Sequence, residues 1–375
     1  MQRELNELAR EAKNLETAGL SATVGFDGFV DEIVEVVNKR KSFDSYSRMV
    51  LMSEFAEKIF EAAGLSTNIE IVPKTVKLGG NGPIMANALV RAGVGVSYLG
   101  SLGHPNIHPV FLDLAKQCTA VFSLGEPGHT DALEFNDGKI MLGKMESLVD
   151  LNWTNMLRAV GEEQLKKLFL GVDLVATVNW TMLPHMNEIW QGLQDLLPGR
   201  GQFRPFLFVD LADPGKRSKD HILEALKIIG KFNSGYRVIL GLNRKEASEI
   251  AAVLSLKLSA AADKVELEEI VTALSSALDF WSVVVHPPNK AGAVAQGRYE
   301  EIRGPFTSRP RLTTGAGDNF NAGFCLGIML ELGLKKSLIL GKALSGFYVR
   351  EMRSPSWKEL GDFLRLWARR VGQDF

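Results

Sequence analysis

The sequence predicts an α/β fold with a mostly parallel central sheet flanked by helices. Two observations carry the prediction. Short, β-rich apolar runs alternate along the chain with longer segments of helical pattern, the order expected of strand–helix–strand units. The apolar runs are also continuous, as in strands covered by helices on both faces; a half-exposed strand would alternate. The 375 residues are 46% hydrophobic and 23% charged, with a formal net charge of −1. That balance is globular and offers no basic excess to attract nucleic acid or an anionic membrane.

Taken in order, "MQRELNELAREAKNLETAGL" (1–20) mixes charges at helical spacing and lacks the apolar centre of a signal peptide. It reads as an N-terminal helical extension ahead of one domain over 21–375. Strands are expected at "SATVGF" (21–26), "GVSYLG" (95–100), "LVATVNW" (174–180), "FLFVDL" (206–211), "RVILGL" (237–242) and "WSVVVHP" (281–287). Helices are expected over 221–231, 244–257 and 264–279. One stretch breaks the alternation: "HTDALEFNDGKIMLGK" (129–144) holds two strand-like runs around Asp137-Gly138, a hairpin signal. "IEIVPKTVKL" (69–78) is available to the same small sheet, which is either an edge decoration or a lid over a cleft. Apolar runs such as "FCLGIMLELGL" fall short of the ~20 residues a membrane span needs. Two cysteines make no disulfide framework, which points to a reducing cytoplasm.

The stretch "RLTTGAGDNFNAGF" (311–324) carries the chemistry. A helix N-terminus leaves backbone N–H groups unpaired and partly positive, and small residues let an anion approach them. Gly315, Ala316 and Gly317 are small, and Asp318 follows at the mouth of the helix. Asp318 is either an N-cap after a glycine turn or a base beside bound phosphate, accepting a proton from an attacking hydroxyl. In that position the helix end is expected to lower its pKa. Three further pieces have a structural and a functional reading each. "KLGGNGPIMANALVRAG" (77–93) opens a helix after Gly79-Gly80; Asp27 and Asp31 in "VGFDGFVDEI" follow a strand; Asn243 and Glu246 in "GLNRKEASEI" have capping-box spacing. Neither GxGxxG nor the P-loop pattern is present, which weighs against a nicotinamide-dependent oxidoreductase.

Together, and in this order, these pieces resemble the ribokinase-like (PfkB-type) carbohydrate kinase family, from about Ala22 to Ser356. The resemblance implies a ribokinase-like fold with a small β-strand lid, formed near 69–78 and 129–144. It implies ATP- and Mg²⁺-dependent phosphorylation of a hydroxyl on a sugar or sugar derivative. Asp318 is then the catalytic base, and the backbone of Gly315, Ala316 and Gly317 the anion hole, with Thr314 beside the nucleotide. Asn243 and Glu246 match the family's NxxE, with Glu246 reaching Mg²⁺ through water. Asp31, helped by Asp27, binds acceptor hydroxyls, and Gly79, Gly80 and Asn81 line the acceptor site. Lid strands in this family pair between subunits, which is consistent with a homodimer, unless the 32–68 insertion covers that edge.

The chain departs from the family at three places. Leu312 stands where an aspartate helps hold a monovalent cation, which argues against K⁺ activation. "HPPNKAG" (286–292) replaces the usual TxGxxG, with His286 and Pro288 at changed positions. Ile84 replaces the asparagine of the acceptor helix. "GGNGPIMANA" is similar to a stretch of the ADP-dependent sugar kinases, without their HxE metal motif. A nucleoside kinase, an ADP-dependent sugar kinase and a non-catalytic sugar- or nucleotide-binding relative are the alternative readings.

Overall fold

The structure, a computed structural model, describes residues 1–197 and 204–375. Its strands are β1 (Ser21–Phe26), β2 (Phe29–Ser42), β3 (Ser45–Arg48), β4 (Ile71–Gly79), β5 (Gly95–Gly100), β6 (Ala120–Ser123) and β7 (Gly128–Phe135). They continue with β8 (Gly138–Lys144), β9 (Leu174–Val178), β10 (Phe206–Asp210), β11 (Arg237–Leu242), β12 (Ser282–Val285), β13 (Lys290–Ala295) and β14 (Arg298–Arg303). Among the described residues nine strands form the central sheet, in the order β14-β13-β12-β11-β10-β9-β1-β5-β6. From β6 to β12 every neighbouring pair is parallel. β13 and β14 return antiparallel at one edge.

The strands expected from continuous apolarity are buried along their lengths: β9 and β10 have no exposed residue, and Val24, Phe208 and Ile239 are wholly covered. Two apolar layers do the covering. One face packs the helices Asn81–Arg91, Ala316–Met329, Leu334–Glu351 and Trp357–Arg369; the other packs Met186–Leu196, Lys219–Lys231, Arg244–Val253 and Leu267–Leu278. Helix Ala316–Met329 is buried all round, which its run of small and apolar residues permits. The segment read as a helical extension over 1–20 is helical over Gln2–Glu11. It belongs to the core, since Leu5 and Leu8 are fully buried and Trp357 Nε1 donates to Ala12 O (2.9 Å). Among the described residues no helix is long and apolar enough to cross a membrane.

The second sheet is built on the long strand β2, which pairs with β4 and β3 antiparallel and with β7 parallel, while β8 closes the hairpin on β7. The 32–68 segment is part of this sheet, supplying most of β2 and all of β3. Val34, Val36, Met49, Leu133 and Phe135 form its own small core. Asp31 stands in one row with Lys77 of β4 and Thr130 of β7.

Candidate active site

Ligands of parallel sheets bind beyond the carboxyl ends of strands, and there the structure gathers polar side chains from five of them. Asp27 follows β1, Asn179 follows β9, Asp210 ends β10, Asn243 follows β11 and His286 follows β12. Of these, Asn179, Asp210, Asn243 and His286 border a cleft of about 550 Å³ that runs from Gly80 and Asn81 to Gly315, Gly317 and Asp318, roofed by Asp31, Thr130 and Met141 of the second sheet. That sheet therefore lies over a cleft.

Asp318 lines the cleft while being only 8% exposed. It sits in the first turn of helix Ala316–Met329, and its Oδ1 accepts from Asn81 Nδ2 at 2.9 Å. From sequence alone, the helix end is expected to lower its pKa. The structure raises it well above the usual carboxylate range, first through burial and then through the negative charges of Asp210 and Asp27. The preceding loop is held from several sides. Gly315 has φ +92°, and a Cβ there would come within 2.6 Å of the Tyr348 hydroxyl, so glycine is required. Tyr348 donates to Thr314 O (2.9 Å), and Asn319 Nδ2 donates to Gly315 O (2.9 Å). Of the three expected anion-hole residues, Ala316 has its N–H spent on Thr313 O (3.1 Å). Gly317 then supplies the first N–H of the helix with no intrahelical acceptor. Thr314 lines the cleft, and its hydroxyl accepts from Lys139, a residue of the roof.

The residues expected at the acceptor end divide into two groups. Gly80, Asn81 and Asp31 line the cleft; Asp27 and Gly79 lie behind it. Asp27 is wholly buried, and its oxygens are taken by Asn81 N (2.9 Å), Gly82 N (2.7 Å) and Asn179 Nδ2 (2.6 Å). It caps the start of helix Asn81–Arg91, so it fixes the Gly80–Asn81 turn without facing the cleft. Burial lifts its pKa to about 6 despite those donors. Gly79 makes room for Asp31, whose carboxylate a Cβ would meet at 2.3 Å. Burial raises the pKa of Asp31 against the nearby charge of Lys77. Ile84 also borders the cleft, where it presents an apolar wall.

Asn243 and Glu246 form a complete capping box at helix Arg244–Val253 and also line the cleft, so the structural reading holds and the position suits the functional one. Glu246 accepts from Asn243 N (2.8 Å) and Asp213 N (2.9 Å). Burial raises its pKa, and it in turn pushes up Asp210, whose own burial is the larger cause. Asp210 is held by Asn321 Nδ2 and Ala212 N, both at 2.8 Å. Among the described residues no three His, Cys, Asp or Glu side chains converge as a metal cage. Two mutually repelling carboxylates at a cleft suit Mg²⁺, which keeps waters and phosphate oxygens as ligands and needs few from the protein.

A second cavity of about 420 Å³ adjoins the first at Asn243, His286 and Gly317. Its far end is apolar, with Pro305, Phe306, Pro310 and Val349. The His286 ring lies 4.5 Å from that of Phe320, tilted by 31° to it, and burial followed by the charge of Lys342 lowers its pKa to about 3. It is a neutral imidazole between the cavities. Asp210, Lys139 and Lys342 are not among the residues nominated from the sequence. Asp210 sits at the end of a correctly expected strand, the one position that could have flagged it.

A family model described as prokaryotic ketohexokinase matches residues 5–367. A ketohexokinase of Haloferax volcanii is 31% identical over 345 residues, covering 90% of this chain and 89% of that one. Among solved structures, a probable sugar kinase from Rhizobium etli superposes with a TM-score of 0.66 at 18% identity, covering 92% of this chain and 98% of the other. The ribokinase of Thermotoga maritima gives 0.61 at 14% identity, covering 92% and 99%. The fold is ribokinase-like.

Proposed function

The chain belongs to the prokaryotic ketohexokinase family and is a carbohydrate kinase; from that premise we propose that it moves the γ-phosphoryl group of ATP, as its magnesium complex, to a hydroxyl of a ketohexose. The observation that carries this reading is the place of Asp318. It faces the cleft one residue from Gly317 and is hydrogen-bonded to Asn81 of the acceptor loop. The sugar lies between Asp31, Asn81 and Ile84, under the roof of the second sheet, with the donor's phosphates at Gly317 and its base in the second cavity.

The acceptor hydroxyl oxygen forms the new bond to the γ-phosphorus as the bond from phosphorus to the β,γ-bridging oxygen breaks. Asp318 takes the hydroxyl proton and later yields it to water. Its raised pKa makes it a stronger base than an ordinary carboxylate, nearer the working pH. The Gly317 N–H and the partial charge of the helix end receive negative charge from the transferring group. Asp210, with Glu246 acting through water, would hold Mg²⁺, which when bound neutralises phosphate charge. Roof residues Thr130 and Met141, with Lys139 reaching Thr314, keep water from the reacting atoms.

The test is ADP release with MgATP over a panel of ketohexoses, aldoses, sugar acids and nucleosides. The expected result is the highest kcat/KM on a ketohexose. A preference for nucleosides, turnover only with ADP as donor, or calorimetric binding of sugar without release of ADP from any acceptor would each overturn the proposal.

A further inference from the structure

Lys342 is a buried cation that the mechanism above does not use. It lies in helix Leu334–Glu351 and is 4% exposed, beside the apolar Leu338, Ile339 and Ala343. Among the described residues its ammonium makes no ion pair. It donates instead to two backbone carbonyls, Pro287 O at 2.5 Å and Pro288 O at 3.2 Å, and lies 5.4 Å from the centre of the Phe320 ring. Burying a charge without a counter-charge costs stability, and burial lowers this lysine's pKa to about 7. The site is nonetheless built for it. Gly304 leaves room for its stem, since a Cβ there would meet Lys342 Cδ at 2.9 Å.

The two carbonyls belong to the four-residue connection 286–289 between β12 and β13. His286, Pro288 and Asn289 of that connection line the second cavity, and so does Lys342. Consecutive prolines have no N–H to pair with a strand, so this connection has few backbone donors with which to fix its own shape. The ammonium ties two adjacent carbonyls at once and retains a third N–H.

We propose that Lys342 is a positioning residue for the phosphate donor: by clamping Pro287 and Pro288 it holds the wall of the second cavity in the shape that receives the nucleotide. The inference rests on the reading of that cavity as the donor site. It is tested with K342M and K342Q by measuring KM for MgATP and for the sugar, alongside melting temperature.

In K342M the donor KM should rise roughly tenfold or more, as expected for losing hydrogen bonds from a charged group. The sugar KM should stay within about twofold, and the melting temperature should not fall, because a buried charge has been removed. K342Q keeps one polar donor and should fall between K342M and wild type, which also decides the matter if K342M does not fold. An unchanged donor KM, or donor and sugar KM rising together with a lowered melting temperature, would overturn the role of Lys342 while leaving the kinase assignment standing. A wild-type protein that never saturates with MgATP would overturn both.

Discussion

Replacing Asp318 by asparagine isolates its proposed role as the base from everything else the side chain does. The substitution keeps shape and keeps an oxygen for Asn81 Nδ2, now 2.9 Å from Asp318 Oδ1, so the Gly80–Asn81 turn should hold its place. What it removes is the ability to take a proton. A positioned base contributes typically 10²–10⁴-fold, which corresponds to about 2.7–5.4 kcal/mol in the barrier. The variant should therefore lose that factor in kcat, with KM for sugar and MgATP changed by no more than about threefold. Stability should move the other way. The folded-state pKa of Asp318 is raised by burial, then by Asp210 and Asp27. A carboxyl of that kind favours the folded state while neutral, below the ordinary carboxylate pKa, and loses that contribution as pH rises through the folded-state value. Asparagine carries no such charge. The melting temperature of the variant should therefore exceed that of wild type at pH 8, and the difference should vanish near pH 4. Coupled ADP-release kinetics and thermal melts at the two pH values are the assays. A folded variant with kcat within tenfold of wild type would refute the assignment of the base, and a lower melting temperature at pH 8 would refute the electrostatic account.

Two further perturbations follow from the same geometry. Removing the negative charge of Asp210, which is the second cause of the raised Asp318 pKa after burial, should move the acid limb of kcat/KM to lower pH. A pH–rate profile of D210N checks this whatever its height, and an unmoved limb would show that the two carboxylates do not interact. Gly315→Ala forces a Cβ against the Tyr348 hydroxyl at φ +92°. A denaturant titration should show a loss of about 1–3 kcal/mol, typical of a strained backbone position, together with a large fall in kcat, since the loop carries Thr314 and Gly317.

Some of this was legible in the sequence because local chemistry sufficed. The family resemblance and the α/β fold are borne out by the matched family model and the solved neighbours. They were readable because short, continuous, β-rich apolar runs suit strands buried between two helical layers, and because GAGD puts a positive-φ glycine directly ahead of a helix. The antiparallel strands β13 and β14 escaped notice: "KAGAVA" is dominated by small residues, and "RYEEIR" sits half exposed at the sheet edge. At the site, a residue type and its neighbours in sequence could nominate Asp27 but could not say which way it faced. Two backbone amides at a helix start, 54 and 55 residues away, turned it into a cap.

The same limit explains the residues that were not nominated at all. Asp210, Lys139 and Lys342 have ordinary local surroundings, and each acquires its chemistry from a partner far along the chain. Asp210 meets Asn321 across 111 residues, Lys139 meets Thr314 across 175, and Lys342 meets Pro287 across 55. A carboxylate or ammonium becomes unusual through desolvation and the charges around it, and both are set by the convergence of strand ends. Composition gives a net charge of −1, yet the cleft holds Asp31, Asp210, Glu246 and Asp318 within one lining. That local excess is what burial converts into raised pKa values. On the proposed reading, it is also why the positive end of helix Ala316–Met329 and the lysines at the margins should matter more to an incoming polyphosphate than the protein's overall charge does.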